Sequence, residues 1–148
     1  MYTTNVNICL FTFVFLKNIM TCTRYYPPET LQQILTQFDS SEQSTLGFSV
    51  HNRPIQMLEI GSGNYKGLSW SQMHGNETTT TKALLDFIPW FLNGKQKTLQ
   101  SSFTLFIIPQ LNPDGSNVYS RYNANNIDLN RDAIDQSQPE SRILRATY

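Results

Sequence analysis

A histidine and a glutamate three residues apart, in Met73-His74-Gly75-Asn76-Glu77, are the side chains best suited to chemistry in this sequence. That spacing places both on the same side of one helical turn. An imidazole nitrogen and a carboxylate oxygen are both good zinc donors, and a catalytic zinc takes three protein donors plus an open position for water. Taken alone, the pair reads equally well as an ordinary histidine and a helix-start glutamate favoured by the dipole. A second constellation follows in Arg121-Tyr122-Asn123-Ala124-Asn125-Asn126-Ile127-Asp128-Leu129-Asn130-Arg131. It gathers two guanidiniums, amides and a carboxylate in one loop. Arginine stays charged and grips carboxylates in bidentate fashion, which suits a site that must hold a peptide end and an oxyanion together.

The elements that must position these groups alternate between strand and helix. Leu31, Ile34, Leu35 and Phe38 recur with helical period after Pro28, a good helix-start residue. Residues 46–50 and 54–60 read as strands joined by a His51-Asn52-Arg53 turn, and 67–71 as a short strand leading into His74. Asn76 is a plausible N-cap for a helix from Glu77 to about Leu92. Its apolar face would carry Ala83, Leu84, Phe87, Ile88 and Phe91, with Pro89 kinking or ending it late. The stripe Phe87, Trp90, Phe91 reads as core. The hydroxyls of Thr78 to Thr81 should bond back to the preceding turn, one of them supporting Glu77. Phe103 to Ile108 is an unbroken apolar run, as in a strand buried on both faces. Asn112-Pro113-Asp114-Gly115 reads as a tight turn. Residues 116–131 form a long polar loop of the kind that is usually functional, and Gln138-Pro139-Glu140-Ser141 opens a last helix. This alternation argues α/β, a mixed β-sheet flanked by helices. His51 reads as a surface turn residue and Glu140 as a first-turn helix charge.

Composition narrows the function classes. The chain has 148 residues, 39% of them hydrophobic and 12% aromatic, so a packed core is expected in one domain or half of a larger one. Lys plus Arg and Asp plus Glu both number 11. No field of one sign follows, and nothing argues for nucleic acid or an anionic membrane as partner. Cys9 and Cys22, the two cysteines, form no C-x-x-C pair and read as free thiols. The apolar run Ile8 to Leu16 is too short to span a bilayer. A signal peptide wants basic residues before such a run, whereas the nearby Lys17 comes after it. Residues 1–24 are therefore set apart as a leader of uncertain nature: a buried strand or an unstructured, misassigned leader is favoured over a signal segment, and Met20 is an alternative start. Localisation leans to the cytoplasm, with secretion the outcome if residues 1–24 act as a signal.

Four motifs in order carry a family resemblance. They are His74-x-x-Glu77, Asn112-Pro113-Asp114-Gly115 after a strand, Arg121-x-Asn123-Ala124 leading to Asp128-Leu129-Asn130-Arg131, and Pro139-Glu140-Ser141. On these, residues 25–148 resemble the N-terminal part of a zinc metallocarboxypeptidase catalytic domain of the carboxypeptidase A/B kind. The resemblance implies one zinc ion, with His74 and Glu77 as two of its ligands. It implies that Arg121 polarises the scissile carbonyl and stabilises the oxyanion. Asn130 and Arg131 would hold the free C-terminal carboxylate of a peptide substrate, and Asp128 would accept a hydrogen bond from the His74 ring.

The departures are as informative. The family's third zinc ligand is a histidine well downstream of the Asn-Arg pair, and its general base and a covering tyrosine lie further on. This sequence holds two histidines, His51 and His74, and ends 17 residues after Arg131. The expectation is an incomplete catalytic domain, inactive by itself. Two other readings stand beside it. N-acyl amino acid deacylases resembling aspartoacylase share His-Gly-Asn-Glu and Asp-Leu-Asn-Arg, although the Asn-Pro-Asp-Gly turn and the step from Arg121 to Asn130 look more like carboxypeptidase. The third reading is a non-catalytic fragment.

Overall fold

A computed structural model describes residues 25–39 and 42–148. The expectations for residues 1–24, including the run Ile8 to Leu16, the two cysteines and a start at Met20, lie outside the described residues. Helix α1 (Pro28–Leu35) is followed by strands β1 (Gln43–Phe48), β2 (Pro54–Gly61) and β3 (Tyr65–Trp70). Helix α2 (Thr78–Leu92), a 3-10 turn (Gly94–Gln96) and α3 (Lys97–Ser102) lead to β4 (Phe103–Ile108), α4 (Pro113–Asn117) and α5 (Pro139–Thr147). None of the described helices is long and apolar enough to cross a membrane.

The four strands form one sheet in the order β1-β2-β4-β3. β4 sits inside it, antiparallel to β2 with Leu58 opposite Ile107, and parallel to β3 with Gly67 opposite Leu105. Parallel neighbours need a crossover between them, and α2 provides it. The sequence alternates along β2 as a two-sided strand requires. Leu58 and Ile60 meet Leu31, Ile34 and Leu35 of α1 and Leu85, Ile88 and Phe91 of α2 on one face. Ile55 and Met57 meet Ile108, Leu111, Ile143 and Leu144 on the other. Each fully buried Leu or Ile contributes about 1.5–3 kcal/mol. Helix α5 leaves part of that second face as an apolar cleft of about 500 Å³, lined by Leu46, Met57, Phe106 and Ile143 among others. No candidate site residue borders it.

Several elements differ from their sequence reading, each for a visible reason. β1 ends at Phe48 rather than at residue 50, because the N–H of Val50 turns away from β2 to Glu140 Oε1 (3.2 Å). β3 ends at Trp70, since the chain leaves the extended conformation at Gln72 (φ +45°), although the Ser71 N–H still reaches Ile108 O. Asn76 does not cap α2; Glu77 occupies that position, without a side-chain capping bond. The buried stripe of α2 is Thr78, Thr81, Leu85, Ile88 and Phe91, so Ala83 faces solvent and Trp90 is 48% exposed. Pro89 lies inside the helix, which continues to Leu92. Asn112-Pro113-Asp114-Gly115 is not a simple turn: it starts α4, with the Asn112 side chain accepting from the Gly115 N–H (2.8 Å).

Candidate active site

His74 and Glu77 sit in the turn between β3 and α2, beyond the ends of the parallel pair. The β3–β4 ladder runs on into this region through Ser71 N–H to Ile108 O, Leu111 N–H to Ser71 O and Asn112 N–H to Gln72 O. The turn carrying His74 is thereby fixed to the turn after β4. Gly75 lies so close to Gly115 that a Cβ on it would meet the Gly115 carbonyl carbon at 2.0 Å. Behind them is a buried set of neutral groups. Gln72, itself buried and at φ +45°, donates to the Gly75 carbonyl (2.7 Å) and the Ser116 hydroxyl (3.1 Å). It accepts from Thr81 Oγ1 (2.7 Å) and Gln110 Nε2 (3.0 Å). Asn112 Nδ2 reaches the Met73 carbonyl (3.2 Å). A non-glycine residue in the left-handed region persists only where its surroundings hold it, and such residues concentrate at functional sites.

The second constellation lies in the long segment between α4 and α5. Asp128 bridges the two motifs: its Oδ1 is 3.0 Å from His74 Nε2, and its Oδ2 accepts from Arg121 Nε at 3.0 Å. Glu77 Oε1 stands 2.9 Å from His74 Nδ1 and 3.5 Å from Arg121 Nη1. The imidazole is thus held between two carboxylates, and one guanidinium faces both. Burial pushes the Asp128 carboxyl up, but hydrogen bonds from His74, Arg121 and the Asn130 N–H outweigh this and hold it at about 2.

The fold therefore brings together His74, Glu77, Arg121 and Asp128, residues from positions 74 to 128. Asn130 and Arg131 follow directly. Their backbone N–H groups bond to Asp128, and both residues are exposed. No described residue forms a hydrogen bond or ion pair with either side chain, which leaves them open to a ligand. His51 is exposed in the β1–β2 turn, with its N–H on Asp114 Oδ2 (2.9 Å), and takes no part. Of Thr78 to Thr81, Thr80 Oγ1 bonds back to the Glu77 carbonyl (3.3 Å), whereas Thr81 joins the Gln72 set.

The donor chemistry fits a cation at His74 and Glu77. A neutral imidazole has one N–H. With Nε2–H directed to Asp128, the Nδ1 lone pair faces a Glu77 oxygen at 2.9 Å. Two acceptors so placed need a proton or a metal ion between them. The described residues offer two donors of this kind and contain no cluster of three or more His, Cys, Asp or Glu able to hold a metal ion.

Sequence reading passed over Gln72 and Asp132 as supporting residues, quoted Asn123 only within a motif, and read Glu140 only as a first-turn helix charge, which it is. Buried Asp132 accepts from the N–H groups of Ser137 and Gln138 ahead of α5, at 3.0 Å each. Asn123 and Glu140 fasten the loop to α5 (Asn123 Nδ2 to Glu140 Oε2, 3.2 Å). An amide followed by a two-residue step to a backbone N–H signals an Asx turn, and Asn123 offered that cue. Nothing local reveals that Glu140 is buried.

Comparison with known proteins gives the family and the fold. Residues 29–143 match the zinc carboxypeptidase family. Carboxypeptidase SOL1 of Arabidopsis thaliana is 33% identical over 110 residues, covering 64% of this chain and 22% of that protein. Carboxypeptidase D of Mus musculus is 30% identical over 118 residues, covering 64% of this chain and 8% of that protein. The crystal structure of carboxypeptidase A from Helicoverpa armigera superposes with a TM-score of 0.72 at 21% identity, covering 99% of this chain and 50% of that one. The chain thus spans half or less of the length of the relatives it matches. In family and in fold, this chain belongs to the zinc carboxypeptidases.

Proposed function

We propose that this chain carries part of the active site of a zinc-dependent metallocarboxypeptidase, which hydrolyses C-terminal peptide bonds. The observation that carries the reading is the His74 ring held between Glu77 and Asp128, with Arg121 facing both carboxylates.

In this reading His74 Nδ1 and Glu77 hold the zinc ion, and a third protein ligand comes from outside the described residues. Zinc bound there supplies Lewis acidity and lowers the pKa of water towards ~7. Asp128 takes the Nε2–H of His74, which fixes the tautomer and aims Nδ1 at the metal position. Arg121 shares the neighbourhood of both carboxylates, so its guanidinium is placed to meet negative charge developing on the scissile carbonyl oxygen. Losing one such donor typically costs about 3–4 kcal/mol in the barrier. Asn130 and Arg131, exposed and unengaged, receive the carboxylate that ends the substrate, and Arg131 can do so through two parallel hydrogen bonds. The family match and the relatives favour this reading over an N-acyl amino acid deacylase.

The test is a matched pair of peptides, one ending in a free carboxylate and the other in an amide. The acid should bind at least about tenfold more tightly, a preference worth ~1.4 kcal/mol, and Arg131→Ala should erase the difference. With zinc added, release of the C-terminal residue should be confined to the acid peptide in the protein that supplies the third ligand. A polypeptide of these 148 residues should bind zinc weakly and release nothing. Equal binding of acid and amide would remove the exopeptidase reading.

A further inference from the structure

Glu140 is a buried carboxylate to which the proposed chemistry gives no task. It lies in the first turn of α5, is 0% exposed, and forms no ion pair among the described residues. A carboxylate buried without a cation is costly unless fixed donors satisfy it. Its donors come from two separate regions. Oε1 accepts the Val50 N–H from the β1–β2 turn (3.2 Å), and Oε2 accepts from Asn123 Nδ2 (3.2 Å).

Asn123 is the hinge of this arrangement. Its Nδ2 is shared between Glu140 and Gln138 Oε1 (2.9 Å), so the amide is held from the side of α5. Its Oδ1 must then face the loop, where it accepts the N–H groups of Asn125 (3.1 Å) and Ile127 (3.0 Å). Backbone bonds from Asn123 N–H to Ile127 O and from Asn126 N–H to Asn123 O close the same turn. Asp128, which touches His74, is the next residue. Asn126 sits at φ +59° within the turn, a conformation that an amide anchor helps to hold.

We propose that Glu140 is a positioning residue of the candidate site. By fixing the Asn123 amide it sets the 123–127 turn and so places Asp128 against the His74 ring, while its other oxygen ties the β1–β2 turn to the same loop. The proposal rests on the reading that residues 121–131 form the substrate-facing part of the site. A carboxylate is required because both contacts are donors. Glutamine would turn an N–H towards one of them.

The test uses NMR on the full chain and needs no catalytic activity. In Glu140→Gln, exchange of the Asn125 and Ile127 amide protons should accelerate at least tenfold, and the His74 Nε2–H signal should shift or broaden. Amides of Leu85 and Ile88 in α2 should stay within twofold. In the Asn123→Ala background, where the amide that Glu140 fixes is gone, Glu140→Gln should accelerate the loop amides no further. Should Glu140→Gln fail to fold, Glu140→Asp, which keeps the charge but shortens the reach, is read in the same way. Loop and His74 signals unchanged in the folded single variant, or an equal acceleration with and without the Asn123 amide, would overturn the proposal. The acid and amide peptides, bound to the wild-type chain, test the functional reading separately, so the two failures are distinguishable.

Discussion

The turn that carries His74 and Glu77 is backed by neutral groups, whereas the loop that carries Arg121 and Asp128 is backed by carboxylates. Behind His74 stand Gln72, Thr81, Gln110, Asn112 and Ser116, amides and hydroxyls that satisfy one another in the interior. Behind the loop stand Asp132, at the approach to α5, and Glu140, on Val50 and Asn123. The difference follows from the backbone each must hold. The His74 turn extends a sheet ladder, which ties it through the Ser71 N–H to Ile108 O and through the Ser71 and Gln72 carbonyls to Leu111 and Asn112. The loop has no ladder, and clustered N–H donors call for acceptors with several lone pairs, which carboxylates provide. The neutral set behind His74 should therefore be indifferent to acid, and Asp132 behind the loop should not.

The largest effect expected is catalytic and falls on the loop. On the proposed reading, in a zinc-loaded enzyme that supplies the third ligand, Arg121→Ala should lower kcat by about 10²–10³-fold with little change in KM, because the contact proposed for it forms chiefly in the transition state. Arg131→Ala should do the reverse, raising KM for acid peptides while kcat is largely kept. Steady-state kinetics on the two variants checks this division, and equal losses in kcat would show that the two arginines share one role.

Next in size is a steric break at the other half. Gly75→Ala directs a methyl group into the Gly115 backbone at 2.0 Å. The two turns must part, and a cost of about 3 kcal/mol or more is expected. Urea denaturation should show it as a lower midpoint, and a variant as stable as the wild type would mean that the turns can separate freely.

Two smaller changes sharpen the comparison through pH. Gln72→Leu strips partners from the Gly75 carbonyl and the Gln110 amide, and should cost about 2 kcal/mol. Since no group in that set titrates, the loss should be equal at pH 7 and pH 4. Asp132 behaves differently. Burial pushes its carboxyl up, but hydrogen bonds led by that from Ser137 hold it at about 2, below the ordinary 3.8. A folded-state pKa depressed in this way contributes stability in full above the unfolded value and loses it as pH falls from about 4 to 2. Asp132→Asn should cost about 1–2 kcal/mol at pH 7 and progressively less below pH 4. Unfolding curves at several pH values give the comparison directly, and a pH-independent deficit in Asp132→Asn would show that its charge contributes nothing.

Much of this was legible in the sequence because it depends on short-range pattern. The apolar periodicity of Leu31, Ile34, Leu35 and Phe38 marked a buried face of α1 and the turn after it, and the apolar run 103–108 became an interior strand. Boundaries were less legible where side chains from elsewhere claimed the backbone. Val50 looks like strand by type, yet its N–H belongs to Glu140, a partner 90 positions away. The buried stripe of α2 was misplaced because Ala83 resembles core by type, while Thr78 and Thr81 are buried through their contacts.

His74 and Glu77 meet across a tight turn ahead of α2, closed by the Glu77 N–H on the His74 carbonyl (3.1 Å), rather than on the helical turn that the sequence reading expected, so their spacing determined their nearness but not the backbone that achieves it. The sequence by itself also determined that arginine, asparagine and aspartate would share one loop. Only the tertiary structure decided that Asp128 reaches the His74 ring across 54 positions, that Arg121 faces Glu77, and that Glu140 is sealed from water. Local spacing fixes neighbours on a turn through covalent geometry. Contacts between distant segments depend on how the parallel β3–β4 pair aligns its two exits and on how the loop is tied to α5, and those are properties of the packed chain as a whole.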